Sequence, residues 1–180
     1  MYEILWHGRG GQGAFTASKL LAAAWAFKNS TNKAIAFPSF GPERRGAPVK
    51  AFTKLSSGSI GDRSQITKAD VVVYLDDTLY QEGALDELKD NGNIIVCTNN
   101  KIDNPRVVSI DALSIAMRVL QRPITNTVVL GALLTLTCEI GIEDLAVAVE
   151  KLMPPKLREK NLEAIRTAYD YVRGEYETSV

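Results

Sequence analysis

The sequence contains very little cysteine and histidine, the residues that form disulfides and bind zinc or iron–sulfur clusters. Its 180 residues include two cysteines and one histidine. Cys97 and Cys138 lie far apart and no CxxC pair occurs. This pattern argues against a zinc site, an iron–sulfur cluster or a disulfide framework supplied by this chain. We interpret both cysteines as buried thiols, with a redox role as the alternative, because free cysteine behaves as a small hydrophobic residue.

Long apolar stretches are also missing. No uninterrupted apolar run reaches the roughly 18 to 20 residues that are needed to cross a bilayer. Glu3 and His7 interrupt the apolar stretch that a signal peptide would need at the amino end. We therefore expect a cytoplasmic protein without a membrane span. With 23% charged and 46% hydrophobic residues, the composition is ordinary for a folded chain, and we expect one domain over residues 1–180.

The net charge is zero, but the charges are unevenly distributed. Residues 1–68 carry ten Lys or Arg against three acidic residues, a balance of plus seven, whereas the remainder carries minus seven. The basic part could attract a phosphorylated cofactor or an acidic partner subunit, or its charges could be spread over solvent. Nucleic acid is not expected as a partner, because Arg44-Arg45 is the only basic pair and no cluster with interleaved aromatics appears.

The order of apolar segments predicts an α/β fold, a Rossmann-like open sheet with helices on both faces and a helical C-terminal third. The predicted strands cover residues 2–7, 34–37, 49–55, 70–76, 94–97 and 107–110. The predicted helices cover residues 12–27, 83–90, 111–120, 126–140 and 143–153, with a last helix after Pro154-Pro155. In the last helix an apolar stripe is expected to pack on the domain itself or on a partner; it contains Leu162, Ile165, Ala168, Tyr169, Val172 and Tyr176.

A glycine turn follows the first predicted strand. The run Gly8-Arg9-Gly10-Gly11-Gln12-Gly13 fits the GxGxxG fingerprint in its strand-to-helix context. We expect the first and third glycines to let the backbone turn and approach a ligand, and the sixth to let the helix pack closely. The fingerprint lacks its acidic companion, since no Asp or Glu occurs between Glu3 and Glu43. This argues against ordinary NAD binding, and a turn that only permits close packing against another subunit is the alternative.

A second loop, Phe37-Pro38-Ser39-Phe40-Gly41-Pro42-Glu43-Arg44-Arg45-Gly46-Ala47-Pro48, is apolar and stiffened by three prolines. Its Glu43-Arg44-Arg45 core presents one acceptor and two forked donors, which suit a carboxylate, a phosphate or a partner's charged surface. His7 lies at a strand end beside the glycine turn. It is interpreted as a packing or hydrogen-bonding residue, with a general-base role as the alternative.

Four segments together carry a resemblance to a known family. GRGGQG, FPSFGPERRGAP, DVVVYLD and NTVVLGALLTL occur in this order. In this combination the chain resembles, over nearly its whole length, the γ subunit of pyruvate:ferredoxin oxidoreductase and related 2-oxoacid:ferredoxin oxidoreductases. The resemblance implies a subunit of a cytoplasmic, oxygen-sensitive complex that decarboxylates a 2-oxoacid and transfers the acyl group to coenzyme A, in a reaction that many members also run in reverse.

In that family the companion subunits, of α, β and δ type or fused, hold thiamine diphosphate, magnesium and iron–sulfur clusters, and ferredoxin accepts the electrons. The resemblance implies that this chain holds no cofactor alone, has no catalytic residue of its own and covers the region where coenzyme A enters. One lip of that region would be formed by Gly8, Arg9, Gly10, Gly11, Gln12 and Gly13. An interface or anion-binding lip would be formed by Ser39, Phe40, Glu43, Arg44 and Arg45.

The substrate stays open at this stage. Pyruvate is favoured because the second loop is close to its pyruvate-type form. Phenylglyoxylate, 2-oxoglutarate, branched-chain 2-oxoacids, indolepyruvate and oxalate are the alternatives within the family. A function of another class, a stand-alone dinucleotide-binding regulatory domain, would use the glycine turn without partners.

Overall fold

The computed structural model describes residues 1–39, 45–137 and 139–177, with side chains as far as residue 174. The strands are β1 (Tyr2–Arg9), β2 (Lys33–Pro38), β3 (Pro48–Ser56), β4 (Ala69–Tyr74), β5 (Leu88–Cys97) and β6 (Val107–Ile110). The α-helices are α1 (Ala14–Lys28), α2 (Ala112–Val119), α3 (Val128–Leu134), α4 (Ile142–Leu152) and α5 (Pro155–Glu177). Two short 3-10 helices span Asp77–Leu79 and Ala84–Glu87.

The six strands form one mixed sheet in the order β2-β3-β1-β4-β5-β6. Strands β1, β4, β5 and β6 run parallel to one another. Strand β3 is antiparallel to both β1 and β2, because β2 and β3 form a hairpin. The connection of that hairpin is the proline-rich loop, so both the loop and the glycine turn leave the sheet at the carboxyl end of β1.

The α-helices cover one face of the sheet. Their buried residues join a single apolar cluster with Ile4, Trp6, Val71 and Val73 of the strands. On the opposite face Leu5, with its strand neighbours, packs under the 3-10 helix Ala84–Glu87 and connecting segments. The α/β fold with a helical C-terminal region is confirmed, but the expectation of α-helices on both faces is corrected, because the described segments that cover the second face form 3-10 helices and irregular connections.

The helical C-terminal third is built on close contact between α3 and α5. A Cβ at Gly131 of α3 would lie 2.1 Å from the carbonyl oxygen of Ile165 in α5. Ile165, Ala168 and Val172 of the predicted stripe are buried in the helical cluster. The stripe therefore packs on the chain's own surface, while the side chain of Tyr176 lies outside the described residues.

Helix α2 begins where the sequence predicts. The carboxylate of Asp111 accepts a hydrogen bond of 2.9 Å from the Ser114 N–H and caps the helix. Helix α5 begins at Pro155, which suits a first helical turn because its missing N–H needs no partner there.

Two predicted helices differ from the structure. Within residues 83–90, where the sequence predicts a helix, only Ala84–Glu87 is helical, and it forms a 3-10 helix. Leu88 already pairs with Ala69 of β4, so sheet pairing outweighs helix formation there. The helix predicted over residues 126–140 is only α3. It ends because the N–H groups of Thr135 and Leu136 bond carbonyls three residues earlier, which tightens its last turn.

Among the described residues, no helix combines the length and the apolar character that crossing a membrane requires.

Candidate functional site

The glycine turn and the proline-rich loop meet at the carboxyl end of β1. Arg9, the last residue of β1, pairs with Pro48, the first residue of β3. Beyond this pair, the Gly10 N–H donates to the Ala47 carbonyl at 2.8 Å, and the Gly46 N–H donates to the Gly10 carbonyl at 3.0 Å. The two segments thus continue the backbone pairing of their strands. We call residues 9–13 and 45–47, with Asp76 and Thr78, the rim.

The rim is held together by one half-buried carboxylate, that of Asp76. Asp76 follows β4, and its Oδ2 accepts hydrogen bonds from Arg9 Nε at 3.1 Å and from Gln12 Nε2 at 2.9 Å. Its Oδ1 accepts from the Thr78 N–H and hydroxyl. Arg9 also donates to the Gly46 carbonyl at 3.1 Å and to the Thr78 hydroxyl at 2.7 Å. Arg9 therefore connects the ends of β1 and β4 with the proline-rich loop.

The environment of Asp76 favours its ionised form. Burial alone would raise the pKa of its carboxyl group, but the hydrogen bonds from Thr78 and Gln12 and the charge of Arg9 outweigh burial and hold the pKa below its usual value. A carboxylate that accepts several donors in this way is a strong local anchor.

The positive φ angles of the glycine turn lie at Gly11, with φ of 96°, and Gly13, with φ of 83°. Gly8 lies within β1 and pairs with Val49, so the expectation that the first glycine makes the turn is corrected. Gly13 has a second constraint. A Cβ there would lie 2.4 Å from Nδ2 of Asn126, the side chain that approaches from the segment before α3. Glycine is therefore needed at position 13 because Asn126 approaches it closely, which differs from the predicted contact between the first helix and its strand.

The second loop is described only in part. Phe40, Glu43 and Arg44 lie outside the described residues. The N–H of Ser39 donates to the Lys50 carbonyl at 2.8 Å, which continues the β2–β3 pairing. Arg45 is exposed, and its Cγ would lie 3.9 Å from a Cβ at Gly11. The structure thus places Arg45 beside the glycine turn, whereas Ser39 bonds to β3.

The sheet order bears on dinucleotide binding. In a dinucleotide fold, β1 and the second parallel strand are neighbours, and an acid at the end of the second strand reaches the ribose. Here antiparallel β3 lies between β1 and β2, which separates their ends by about two strand spacings, roughly 10 Å. The Gly10 N–H is also already bonded to Ala47. Both features weigh against the stand-alone dinucleotide-binding alternative.

His7 is part of a packed polar cluster beside the rim. Its Nε2 lies 2.7 Å from Glu87 Oε2, and its ring stacks on Tyr74 with centroids 4.4 Å apart. Glu87 also accepts hydrogen bonds from the Tyr74 hydroxyl at 2.9 Å and from Lys50 Nζ at 2.9 Å. These contacts fit the packing and hydrogen-bonding interpretation of His7.

The same contacts shift the pKa of Glu87. Burial would raise it, but the hydrogen bonds from His7 and Lys50, the charge of His7 and the hydrogen bond from Tyr74 together lower the pKa of Glu87 to about 2. The effect on Tyr74 is opposite, because burial and the charge of Glu87 raise the pKa of its phenol.

The described cysteine, Cys97, is half-buried and forms no disulfide with any residue that the structure describes. Burial, with the negative charges of Asp77 and Asp76, raises the pKa of Cys97 to about 12. Such a thiol carries almost no thiolate at neutral pH, which supports the structural interpretation over a redox role. Cys138 lies outside the described residues. Over the ranges that the structure describes, no group of His, Cys, Asp and Glu side chains is arranged to hold a metal ion.

Sequence reasoning missed three residues of this region. Asp76 and Thr78 carry a signal in retrospect, since polar residues at the carboxyl end of a strand that neighbours β1 are expected near the glycine turn. Glu87 carried none, because its segment was predicted as a helix.

The chain belongs to the pyruvate ferredoxin/flavodoxin oxidoreductase family, whose model matches residues 3–171. The prediction of a γ-type chain of this family is confirmed by relatives of similar length. The pyruvate synthase subunit PorC of Methanothermobacter thermautotrophicus is 42% identical, with 96% of each chain covered. The pyruvate/ketoisovalerate oxidoreductases common subunit gamma of Pyrococcus furiosus is 41% identical, with 94% of this chain and 96% of the relative covered.

A solved structure supports the same assignment. The pyruvate oxidoreductase subunit PORC of Thermotoga maritima superimposes with a TM-score of 0.79 and is 34% identical. The match covers 94% of this chain and 95% of the Thermotoga chain. Its agreement along nearly the whole chain means that the mixed sheet and the helical C-terminal region are features of the fold this chain shares with a PORC subunit.

Proposed function

We propose that this chain is the γ subunit of a pyruvate:ferredoxin oxidoreductase and that it completes a complex in which companion subunits carry out the chemistry. The complex would oxidatively decarboxylate a 2-oxoacid to acyl-coenzyme A in a reversible reaction, with ferredoxin as electron acceptor. Thiamine diphosphate, magnesium and iron–sulfur clusters would be held by α, β and δ-type subunits or their fused equivalents. The family assignment and the length of the matched relatives support this proposal.

The rim is the surface that we assign to docking. The observation that carries this assignment is the meeting of the glycine turn and the proline-rich loop through the Gly10–Ala47 and Gly46–Gly10 hydrogen bonds. Gly11, Arg45 and Gly46 are exposed at this edge although their backbone is held in place. An exposed surface whose backbone is fixed by hydrogen bonds suits close approach by another subunit, since little backbone entropy remains to be lost on binding. In the complex the rim would cover the coenzyme A region.

The arginines of the rim have different roles in this proposal. The guanidinium of Arg9 is already paired with Asp76 and with Gly46 inside the chain. Arg45 is exposed, and its side chain forms no ion pair with any residue that the structure describes. Arg45 is therefore the described arginine that we assign to an anionic partner, either a carboxylate of a companion subunit or a phosphate of coenzyme A.

Pyruvate is the proposed substrate of the complex. The relatives named above are a pyruvate synthase subunit and a gamma subunit common to pyruvate and ketoisovalerate oxidoreductases. A gamma subunit shared between two activities implies that the choice of 2-oxoacid is made by other subunits, and we infer the same division for this chain. The other 2-oxoacids remain alternatives, which an assay of the purified complex against a panel of these acids distinguishes.

The subunit proposal is tested by purification and substitution. The tagged chain, expressed in its native host, is expected to bring down subunits that contain thiamine diphosphate and iron–sulfur clusters. Arg45→Ala is expected to weaken assembly or raise the KM for coenzyme A about tenfold, the effect of losing one charge-assisted contact. Arg63→Ala is the matched control, because Arg63 is exposed in the segment that Asp62 fixes to Lys54 at the opposite end of the sheet.

Two results would count against the proposal. A wild-type chain that purifies alone and binds NAD or FAD with sub-millimolar affinity would favour the dinucleotide-binding alternative. Equal assembly and equal kinetics for Arg45→Ala and the wild type would remove the proposed role of Arg45.

A further inference from the structure

Asp76 is placed to control the geometry of the rim without lying on its outer surface. Its side chain is 16% exposed, and its two oxygens accept from donors on three segments: Arg9 at the end of β1, Gln12 in the glycine turn and Thr78 after β4. Gln12 in turn accepts a 2.7 Å hydrogen bond from the Arg9 N–H through its Oε1. The side chains of the glycine turn therefore depend on one acceptor supplied by a different strand.

The link continues to the second loop. While Arg9 Nε is bonded to Asp76, another nitrogen of the same guanidinium donates to the Gly46 carbonyl at 3.1 Å. Because the guanidinium is planar and rigid, fixing one edge fixes the direction of the others. Asp76 thus sets the position of the Gly46 carbonyl relative to the glycine turn through Arg9.

We propose that Asp76 is a positioning residue of the rim, which acts through Arg9 to hold the glycine turn and the proline-rich loop in the arrangement that a companion subunit recognises. The proposal rests on the proposed docking function of the rim. Asp76 itself does not contact the partner in this account, and its effect on binding is transmitted through the Arg9 guanidinium.

The chemistry of Asp76 explains why a close analogue cannot replace it. All four of the donors that meet its carboxylate are N–H or O–H groups, and asparagine would turn an N–H donor toward two of them. An Asp76→Asn variant keeps the size of the side chain but loses charge and one acceptor. It therefore separates positioning from packing, and the lowered pKa of Asp76 keeps the wild-type carboxylate ionised at neutral pH.

The neighbouring acid supplies a matched control. Asp77 follows Asp76 directly, is exposed and accepts a hydrogen bond of 2.9 Å from the Thr98 hydroxyl, away from the glycine turn. Asp77→Asn makes the same chemical change one residue along the chain. A loss of binding that follows from charge alone would appear in both variants, whereas a positioning effect appears only in Asp76→Asn.

The test measures the affinity of the full-length chain for the rest of the complex, with thermal unfolding to verify that each variant is folded. Asp76→Asn is expected to weaken this affinity about tenfold, and Asp77→Asn to change it less than twofold. Arg9→Gln is expected to match Asp76→Asn, and the double variant to be no weaker than either single variant, because the two side chains act as one unit. In the assembled complex the KM for coenzyme A should rise while kcat is retained.

Three results would overturn the proposal. They are wild-type affinity for Asp76→Asn, equal losses in Asp76→Asn and Asp77→Asn, and additive losses of about a hundredfold in the double variant. A different result would refute the docking proposal itself, namely a wild-type chain that does not bind the companion subunits. A wild-type chain that binds while Asp76→Asn binds equally well would refute only the positioning role.

Discussion

The rim and the contact between α3 and α5 each join segments that are distant in the sequence, but they do so with different interactions. At the rim, polar groups of exposed and half-buried residues join the ends of β1 and β4 to the proline-rich loop. Between α3 and α5, buried apolar side chains meet at Gly131 with almost no free space. We therefore expect substitutions between α3 and α5 to lower the free energy of unfolding more than substitutions at the rim, where hydrogen bonds define an exposed surface.

The largest expected effect comes from filling the helix contact. Gly131→Ala would place a Cβ 2.1 Å from the Ile165 carbonyl oxygen and 2.9 Å from the Ala168 Cβ. Since neither backbone can move without displacing its helix, we expect a loss of about 3 kcal/mol or more in the free energy of unfolding. Urea unfolding followed by circular dichroism measures it.

Gly174→Ala provides the control for that substitution. It also lies in a helix, but a Cβ at Gly174 would meet no heavy atom of the described residues within 4 Å. Alanine should stabilise α5 there by up to about 1 kcal/mol, because glycine is the poorer helix former. Equal effects of the two substitutions would show that the α3–α5 contact is looser than described.

An intermediate effect is expected at the boundary between the two regions. Gly13→Ala combines a positive φ with a clash against Asn126, and should cost roughly 2 kcal/mol. Gly11→Ala has a similar φ, but its nearest neighbour is Arg45 Cγ at 3.9 Å, so about 1 kcal/mol is expected. The measurement is the unfolding free energy of both variants.

Asn126 allows the clash at Gly13 to be isolated. In a Gly13→Ala, Asn126→Ala double variant, the side chain that meets the new Cβ is removed, so the loss should be smaller than the sum of the single losses by about 1 kcal/mol. Strict additivity would mean that the φ angle alone explains the need for glycine at this position.

The smallest expected effect concerns the polar cluster next to the rim. Glu87 has a pKa of about 2 in the folded chain against an ordinary value of 4.5. Because the pKa is lower in the folded than in the unfolded chain, the ionised carboxylate stabilises the protein at pH values above the unfolded pKa. This contribution disappears as the pH falls from about 4.5 toward about 2. Glu87→Gln should therefore cost about 1 kcal/mol at neutral pH, after allowance for solvent screening, and almost nothing near pH 2.

The pH dependence is measured by urea unfolding of the wild type and Glu87→Gln at several pH values. Glu82→Gln serves as the control, since Glu82 is exposed on the same segment. A difference between wild type and Glu87→Gln that stays constant down to about pH 2 would contradict the role assigned to the Glu87 carboxylate.

Much of the fold could be predicted because its signals are local. The buried run of β4 and the Asp111 cap of α2 each depend on residues close in the sequence. The predictions failed where distant contacts decide. Residues 88–90 belong to β5 because β4 offers an open edge, and all the α-helices share one face because the second face is covered by short connections.

The site was predictable to a smaller extent. The glycine turn and the proline-rich loop stand out by composition, and both lie at the carboxyl end of β1. The sequence gives no local signal for the contact between Arg9 and Asp76, because these residues are 67 positions apart. Antiparallel β3 was equally hidden, since its alternation is the same whichever direction the strand runs.

The hairpin that carries the proline-rich loop has one more consequence. Its two strands are held in register by their own ladder, and β3 is held also by its pairing with β1. Because the register of the hairpin is set within β2 and β3, a substitution at Arg45 would change the rim and leave the strand pairing in place. Side-chain variation at the rim is thereby uncoupled from the folding of the sheet.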